Sequence, residues 1–77
     1  MARVRYFAAA EEMAGRAEET RPEATLGALR VALATERPGL GGILPRCAVL
    51  VDGARVSDDA PLGSEALVDV LPPFAGG

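Results

Sequence analysis

The chain has 77 residues and 7.9 kDa, 49% of it hydrophobic and 25% charged. That is material for one domain, too apolar for wholesale disorder and too small to enclose a deep active site, since a domain of this size hides only about 60% of its unfolded surface. The net charge is −3 and all eight basic residues are Arg, scattered singly from Arg3 to Arg55, so the clustered positive surface of a nucleic-acid binder is missing.

Arg3-Val4-Arg5-Tyr6-Phe7-Ala8 alternates with the two-residue period of a strand, with Val4, Tyr6 and Ala8 on one face and Arg3, Arg5 and Phe7 on the other. Ala9 to Ala14 is rich in Ala and Glu and stops at Gly15, which predicts a short helix closed by a glycine cap. Glu18 to Arg21 reads as a weak edge strand whose charges face water, and Pro22 cannot continue a ladder. Thr25 is a suitable N-cap for a main helix over Leu26 to Arg37, with Leu26, Leu29 and Leu33 on one face and Pro38-Gly39 ending the pattern.

Leu40 to Pro45 reads as a Gly-rich connector, and Gly39-Leu40-Gly41-Gly42 lacks the residues of a phosphate-binding loop. The apolar run Cys47 to Val51 suits an interior strand. Asp52-Gly53 signals a tight hairpin returning through Ala54-Arg55-Val56, and Ser57 to Ser64 is a polar loop. The last strand, Ala66 to Leu71, places Val68 and Val70 on the helix side and leaves Leu67, Asp69 and Leu71 outward. With Phe7 and Phe74, the two leucines would form an exposed apolar patch of the kind that marks a protein interface. Strand, strand, helix, strand, strand, strand, with one main amphipathic helix, predicts an α+β fold: a mixed β-grasp (ubiquitin-like) sheet of about five strands covered on one face only. The expected division is a β-grasp domain over 1–71 and an extended tail over 72–77.

The absence of His, Lys, Asn, Gln and Trp leaves no Ser–His or Cys–His pair, no Schiff-base lysine and no common zinc site. Cys47 has no thiol to pair with and no Lys or His beside it, so it reads as a packed small side chain, and a single cysteine fits a reducing cytoplasm. Glu11-Glu12 and Asp58-Asp59 read as surface charge and turn capping. The apolar stretch Tyr6 to Ala10 meets Glu11 and Glu12 too soon for a signal segment, and no stretch approaches a membrane span. Such a chain does its chemistry at a terminus or on a partner.

The terminus has the means. Pro72 and Pro73 stiffen the chain and exclude helix, and six residues from Pro72 to Gly77 reach at most about 20 Å. Gly76 and Gly77 carry no Cβ, so a narrow tunnel in another protein could admit them. Leu71-Pro72-Pro73-Phe74-Ala75-Gly76-Gly77 resembles the Pro-Pro-x-x-Gly-Gly ending of the MoaD/ThiS sulfur-carrier family. The likeness extends through Val4 to Phe7, the Leu-rich helix after Thr25, the Val51-Asp52-Gly53 hairpin and the acidic loop before the last strand. The double proline is more typical of the molybdopterin-synthase side of the family than of its thiazole or cysteine carriers.

The resemblance implies a protein that binds no cofactor of its own. An adenylating (E1-like) enzyme would use ATP to activate the Gly77 carboxylate, and a sulfurtransferase system would convert it to a thiocarboxylate. The large subunit of molybdopterin synthase would then receive the tail, with Gly76 and Pro72, Pro73, Phe74 and Ala75 delivering it and Phe7, Leu67 and Leu71 binding the partner. Two alternatives stay open at this point: a carrier for thiazole, cysteine or tRNA thiolation, and a β-grasp module that binds a partner without covalent chemistry.

Overall fold

In the computed structural model, which describes residues 1–73, alternation makes the first strand as expected. β1 is Ala2–Tyr6, with Ala2, Val4 and Tyr6 buried and Arg3 and Arg5 on the far face. The alternation stops at Ala8, whose φ of 51° turns the chain out of the sheet and leaves its side chain exposed instead of buried beneath Tyr6. α1 spans Ala9–Ala14 and closes on Gly15 at φ 76°, whose N–H donates to the Glu11 carbonyl. This left-handed cap costs glycine nothing.

β2 is Glu18–Arg21 and α2 is Leu26–Glu36, one residue shorter than the pattern suggests because Arg37 forms the cap. The Thr25 hydroxyl accepts from the Ala28 N–H at 3.2 Å, and Leu26, Leu29 and Leu33 are buried. After a helix α3 (Pro38–Ile43) and a 3₁₀ turn (Leu44–Arg46) come β3 (Ala48–Val51), β4 (Ala54–Arg55) and β5 (Leu67–Leu71). Cys47 precedes β3 instead of opening it, Val56 falls outside β4 and Ala66 outside β5. Asp52 and Gly53 both take positive φ, 51° and 82°, the combination a two-residue hairpin turn needs to match the twist of its strands. Asp52 also anchors the start of β5, its carboxylate accepting from the Leu67 N–H at 3.0 Å.

The sheet order is β2-β1-β5-β3-β4, with β1 parallel to β5 and every other pair antiparallel. The first and last strands therefore meet at the middle of a mixed sheet packed on one main helix, the β-grasp arrangement. The core lies on the helix side, where Val4, Val68 and Val70 join the leucines of α2. No helix among the described residues is long and apolar enough to cross a membrane.

Two local expectations fail for a tertiary reason. The expected connector over Leu40 to Pro45 is helical instead: α3 occupies Pro38–Ile43 and the 3₁₀ turn Leu44–Arg46. Pro38 stands at the helix start, where a missing N–H is harmless, and burial of Leu40 and Leu44 overrides the poor helix propensity of three glycines. Gly41 even assists, because a Cβ there would lie 2.9 Å from Ala34 Cα. Its absence lets α3 come close to α2.

The second concerns β2, which is an edge strand as expected but does not turn all its charges to water. Pairing Val4 with Glu19 and Ala2 with Arg21 puts both charged side chains on the core side, where Arg21 is only 8% exposed. They survive there because they are partnered. Glu19 accepts from the Tyr6 hydroxyl at 2.5 Å and from Arg37 at 2.7 Å, while Arg21 donates to Glu23 and Glu36 at 2.7–3.0 Å. No buried side-chain polar atom among the described residues lacks a partner. The network ties β2 to the C-terminal end of α2.

This network gives the fold a pH dependence with a defined sign. Burial pushes the Glu19 carboxyl up, but hydrogen bonds from Arg37 and Tyr6 and the charges of Arg37 and Arg21 outweigh it and hold it below its ordinary 4.5. Glu36 is lowered by its hydrogen bond to Arg21. Carboxylates whose folded values are depressed contribute stability that is present above the unfolded value and lost as pH falls through the folded one. Tyr6 is shifted the other way, raised by burial and by Glu19, so its contribution is present below about pH 10 and lost as pH rises further. Melting temperatures measured across pH should therefore fall on the acid side below about pH 4.5, and Glu19→Gln should flatten that limb. An acid limb of unchanged slope in Glu19→Gln would place its origin outside this network.

Candidate functional site

The site is assembled around the end of β5, where the chain leaves the sheet. The β5 ladder runs to Leu71, which pairs with Ala48 of β3, and on the other side the Phe7 N–H donates to the Val70 carbonyl at 3.2 Å. Phe7 and Leu71 thus flank the point from which Pro72, half-buried, and Pro73, exposed, lead onward. Phe74, Ala75, Gly76 and Gly77 lie outside the described residues.

The helices cover one face of the sheet and leave the other open. On this open face Leu67 and Leu71 are half-buried, as the alternation of β5 requires, and Phe7 is 37% exposed. Leu50 joins them, because Val49 and Val51 take the core side of β3. The structure brings three of the expected partner-binding residues, Phe7, Leu67 and Leu71, to one surface continuous with the exit of the tail.

That surface is not the uninterrupted apolar patch that the outward residues of β5 suggest on their own. Parallel pairing sets Arg5 opposite Asp69, and the guanidinium grips the carboxylate through two bonds, Nε to Oδ1 at 2.7 Å and Nη2 to Oδ2 at 2.9 Å. Bidentate geometry of this kind is the stronger form of ion pair. The same guanidinium lies 5.6 Å from the centre of the Phe7 ring, within range of a cation–π attraction. An ion pair thus divides the leucines in the middle of the face. The only sequence signal for it is the outward position of both residues; nothing local says that strands 64 residues apart run side by side.

Elsewhere the chain offers little chemistry. The Cys47 Sγ donates to the Ile43 carbonyl at 3.2 Å, and burial pushes its thiol up, which keeps it protonated and a poor nucleophile. Asp58 pairs with Arg30 at 3.0 Å and Asp59 takes the Ser57 hydroxyl, so the two carboxylates act separately, one as an ion pair and one in a turn. A hollow of about 380 Å³ between α2 and α3 is lined mainly by Val31, Ala34, Gly41, Leu44 and Pro45, and the one carboxylate at its edge, Asp58, is held by Arg30. Among the described residues the arrangement suits binding, with the reactive group to be sought in the tail.

Comparison with known proteins gives a consistent result. The ThiS family model matches residues 4–77. The chain is similar to the molybdopterin converting factor subunit 1 of Pyrococcus furiosus, with 26% identity over 95% of this chain and 97% of that one and a TM-score of 0.82. It is similar also to a chain from the protein–protein complex of subunits 1 and 2 of the molybdopterin-converting factor of Helicobacter pylori, with 26% identity, 99% and 97% coverage and a TM-score of 0.74. Small archaeal modifier protein 1 of Haloferax volcanii shares the fold, at 20% identity over 95% and 97% with a TM-score of 0.76. No curated protein sequence matches. With the family model spanning nearly the whole sequence, and with the β-grasp sheet and its open face in place, the chain belongs to the ThiS family.

Proposed function

We propose that this protein carries sulfur on the carboxylate of Gly77 and delivers it as the small subunit of molybdopterin synthase. The observation that carries the reading is the ending Leu71-Pro72-Pro73-Phe74-Ala75-Gly76-Gly77, which lies within the family match and follows directly from the strand at the middle of the sheet. The domain over 1–71 is then a handle, and the segment 72–77 an arm.

A carboxylate already carries negative charge and is a poor electrophile, so sulfur cannot displace its oxygen directly. The adenylating partner joins it to AMP and releases pyrophosphate from ATP. A persulfide on the sulfurtransferase attacks the acyl carbon and expels AMP, and a second thiol then attacks the sulfurtransferase cysteine's sulfur in the acyl disulfide, forming a disulfide with it and releasing the thiocarboxylate. The product is an ionised, soft nucleophile attached to a protein that can be placed in a partner's site, where orientation and positive charge raise its reactivity. The scarcity of side-chain nucleophiles in the carrier fits this division of labour.

The test is the intact mass of the full chain after incubation with ATP, its adenylating enzyme and a sulfurtransferase system. The expected result is a gain equal to exchange of one oxygen for sulfur, mapped to Gly77. No gain, with the same enzymes shown to be competent on another carrier, would overturn the reading. The open face supports a second reading, a module that binds without covalent chemistry. Binding that persists without Gly76 and Gly77 and needs no ATP, together with an unchanged mass, would favour it.

A further inference from the structure

We propose that the protein surface which covers the open sheet face in the working complex is apolar over its centre and carries carboxylates at its rim, opposite Arg3 and Arg55. This rests on the carrier reading, because it describes the partner that takes hold of the domain while the tail is delivered.

The centre of the face is already neutral. Asp69 has its side chain only 15% exposed and receives both guanidinium bonds from Arg5. A partner that offered a charge here would have to open the bidentate pair. A partner that laid apolar side chains over it would leave both bonds intact and exclude the water that screens them, so the attraction would strengthen as the local dielectric falls. Much of the cost of taking Asp69 out of water has been met within the fold. Leu50, Leu67 and Leu71 surround the pair, so the surface that fits over them is itself apolar.

The rim is different. Arg3 is level with Leu67 on β1, and Arg55 is level with Leu50 on β4, which puts both on the open face. Both are exposed, and neither makes an ion pair among the described residues. The face carries Arg3, Arg5 and Arg55 against Glu18 and Asp69, with Glu65 in the same hollow as Arg3 and Leu67. Arg3 and Arg55 are thus positive charges at the rim of a face whose centre is neutral. Rim charges of this kind act mainly on the rate and orientation of encounter, and they call for carboxylates opposite.

The experiment uses the full chain and, as probe, the large subunit of molybdopterin synthase, with association kinetics read at low and high salt. Arg5→Met leaves the Asp69 carboxylate unpaired under an apolar cover and should weaken binding by roughly a hundredfold. Adding Asp69→Leu removes the orphan charge and should restore affinity to within about threefold of wild type. Arg3→Gln with Arg55→Gln should slow association by about tenfold at low salt and remove most of the salt dependence. Circular dichroism melts establish that each variant is folded, and if Arg5→Met alone is not, the double variant and the rim variant still decide.

A double variant as weak as a hundredfold loss would show that the partner reads the charge pair itself, and rim variants that associate at the wild-type rate would show that no carboxylates face them. Either result overturns the inference, as does wild type that gains sulfur mass yet has no affinity for the large subunit. Wild type that neither gains the mass nor binds overturns the carrier reading beneath it.

Discussion

Deletion of Gly77 is expected to abolish sulfur uptake and donation while leaving the melting temperature within about 1 °C of wild type. The chemical loss is complete because the acceptor atom moves. Removing one residue shortens the greatest reach of the chain by about 3.5 Å, whereas a misplacement of only about 1 Å from reacting geometry costs on the order of a hundredfold. The fold does not register the change, because the core runs from Ala2 to Val70 and the last ladder pair is at Leu71. Intact mass after ATP-dependent sulfuration, set beside a thermal melt, measures both halves. A truncated chain that still takes up sulfur at its new end would move the site of chemistry away from Gly77.

Leu33→Ala should give the reverse pattern. Leu33 is 1% exposed at the C-terminal end of the leucine stripe that α2 presents to the core. Truncating such a side chain loses its transfer free energy and leaves a cavity, together about 3 kcal/mol. A domain of this length has roughly 4–12 kcal/mol of total stability at about 0.05–0.15 kcal/mol per residue, so the change removes about a quarter or more of it. The melting temperature should fall by about 12–24 °C at roughly 4–8 °C per kcal/mol. Sulfur uptake well below that temperature should remain, since the tail is untouched. Urea unfolding monitored by circular dichroism would measure the loss, and a decrease of less than about 1 kcal/mol would mean that the core closes over the gap.

The two variants separate what the arm does from what the domain does, and the same division runs through the sequence. Features written in neighbouring residues are legible there. The Thr25 cap, the Gly15 stop, the Asp52-Gly53 hairpin and the alternation of Val68 and Val70 each depend on a few adjacent side chains, and each appears in the structure where the sequence puts it. The boundaries drift by one residue at Arg37, Val56 and Ala66, where a ladder or helix bond, not a side-chain preference, decides the last position. The tail motif is likewise written in consecutive residues, of which Phe74 to Gly77 lie outside the described ones.

What fails depends on distant partners. Pro38 to Arg46 has the composition of a loop and becomes helical because Leu40 and Leu44 find a core to enter and Gly41 can approach Ala34. Glu19 and Arg21 have the composition of a solvated edge and turn inward because their register on β1 places Arg37, Tyr6, Glu23 and Glu36 within reach. Arg5 and Asp69, 64 residues apart, become one feature of the binding face only because the first and last strands pair in parallel. The sequence by itself determined the five strands, the first two helices, their order, the one-sided core and the glycine ending, since short-range stereochemistry and hydrophobic period suffice for these. The tertiary structure alone decided α3, the inward ion network and the charge pair dividing the open face, because burial and register are set by residues far away in the chain.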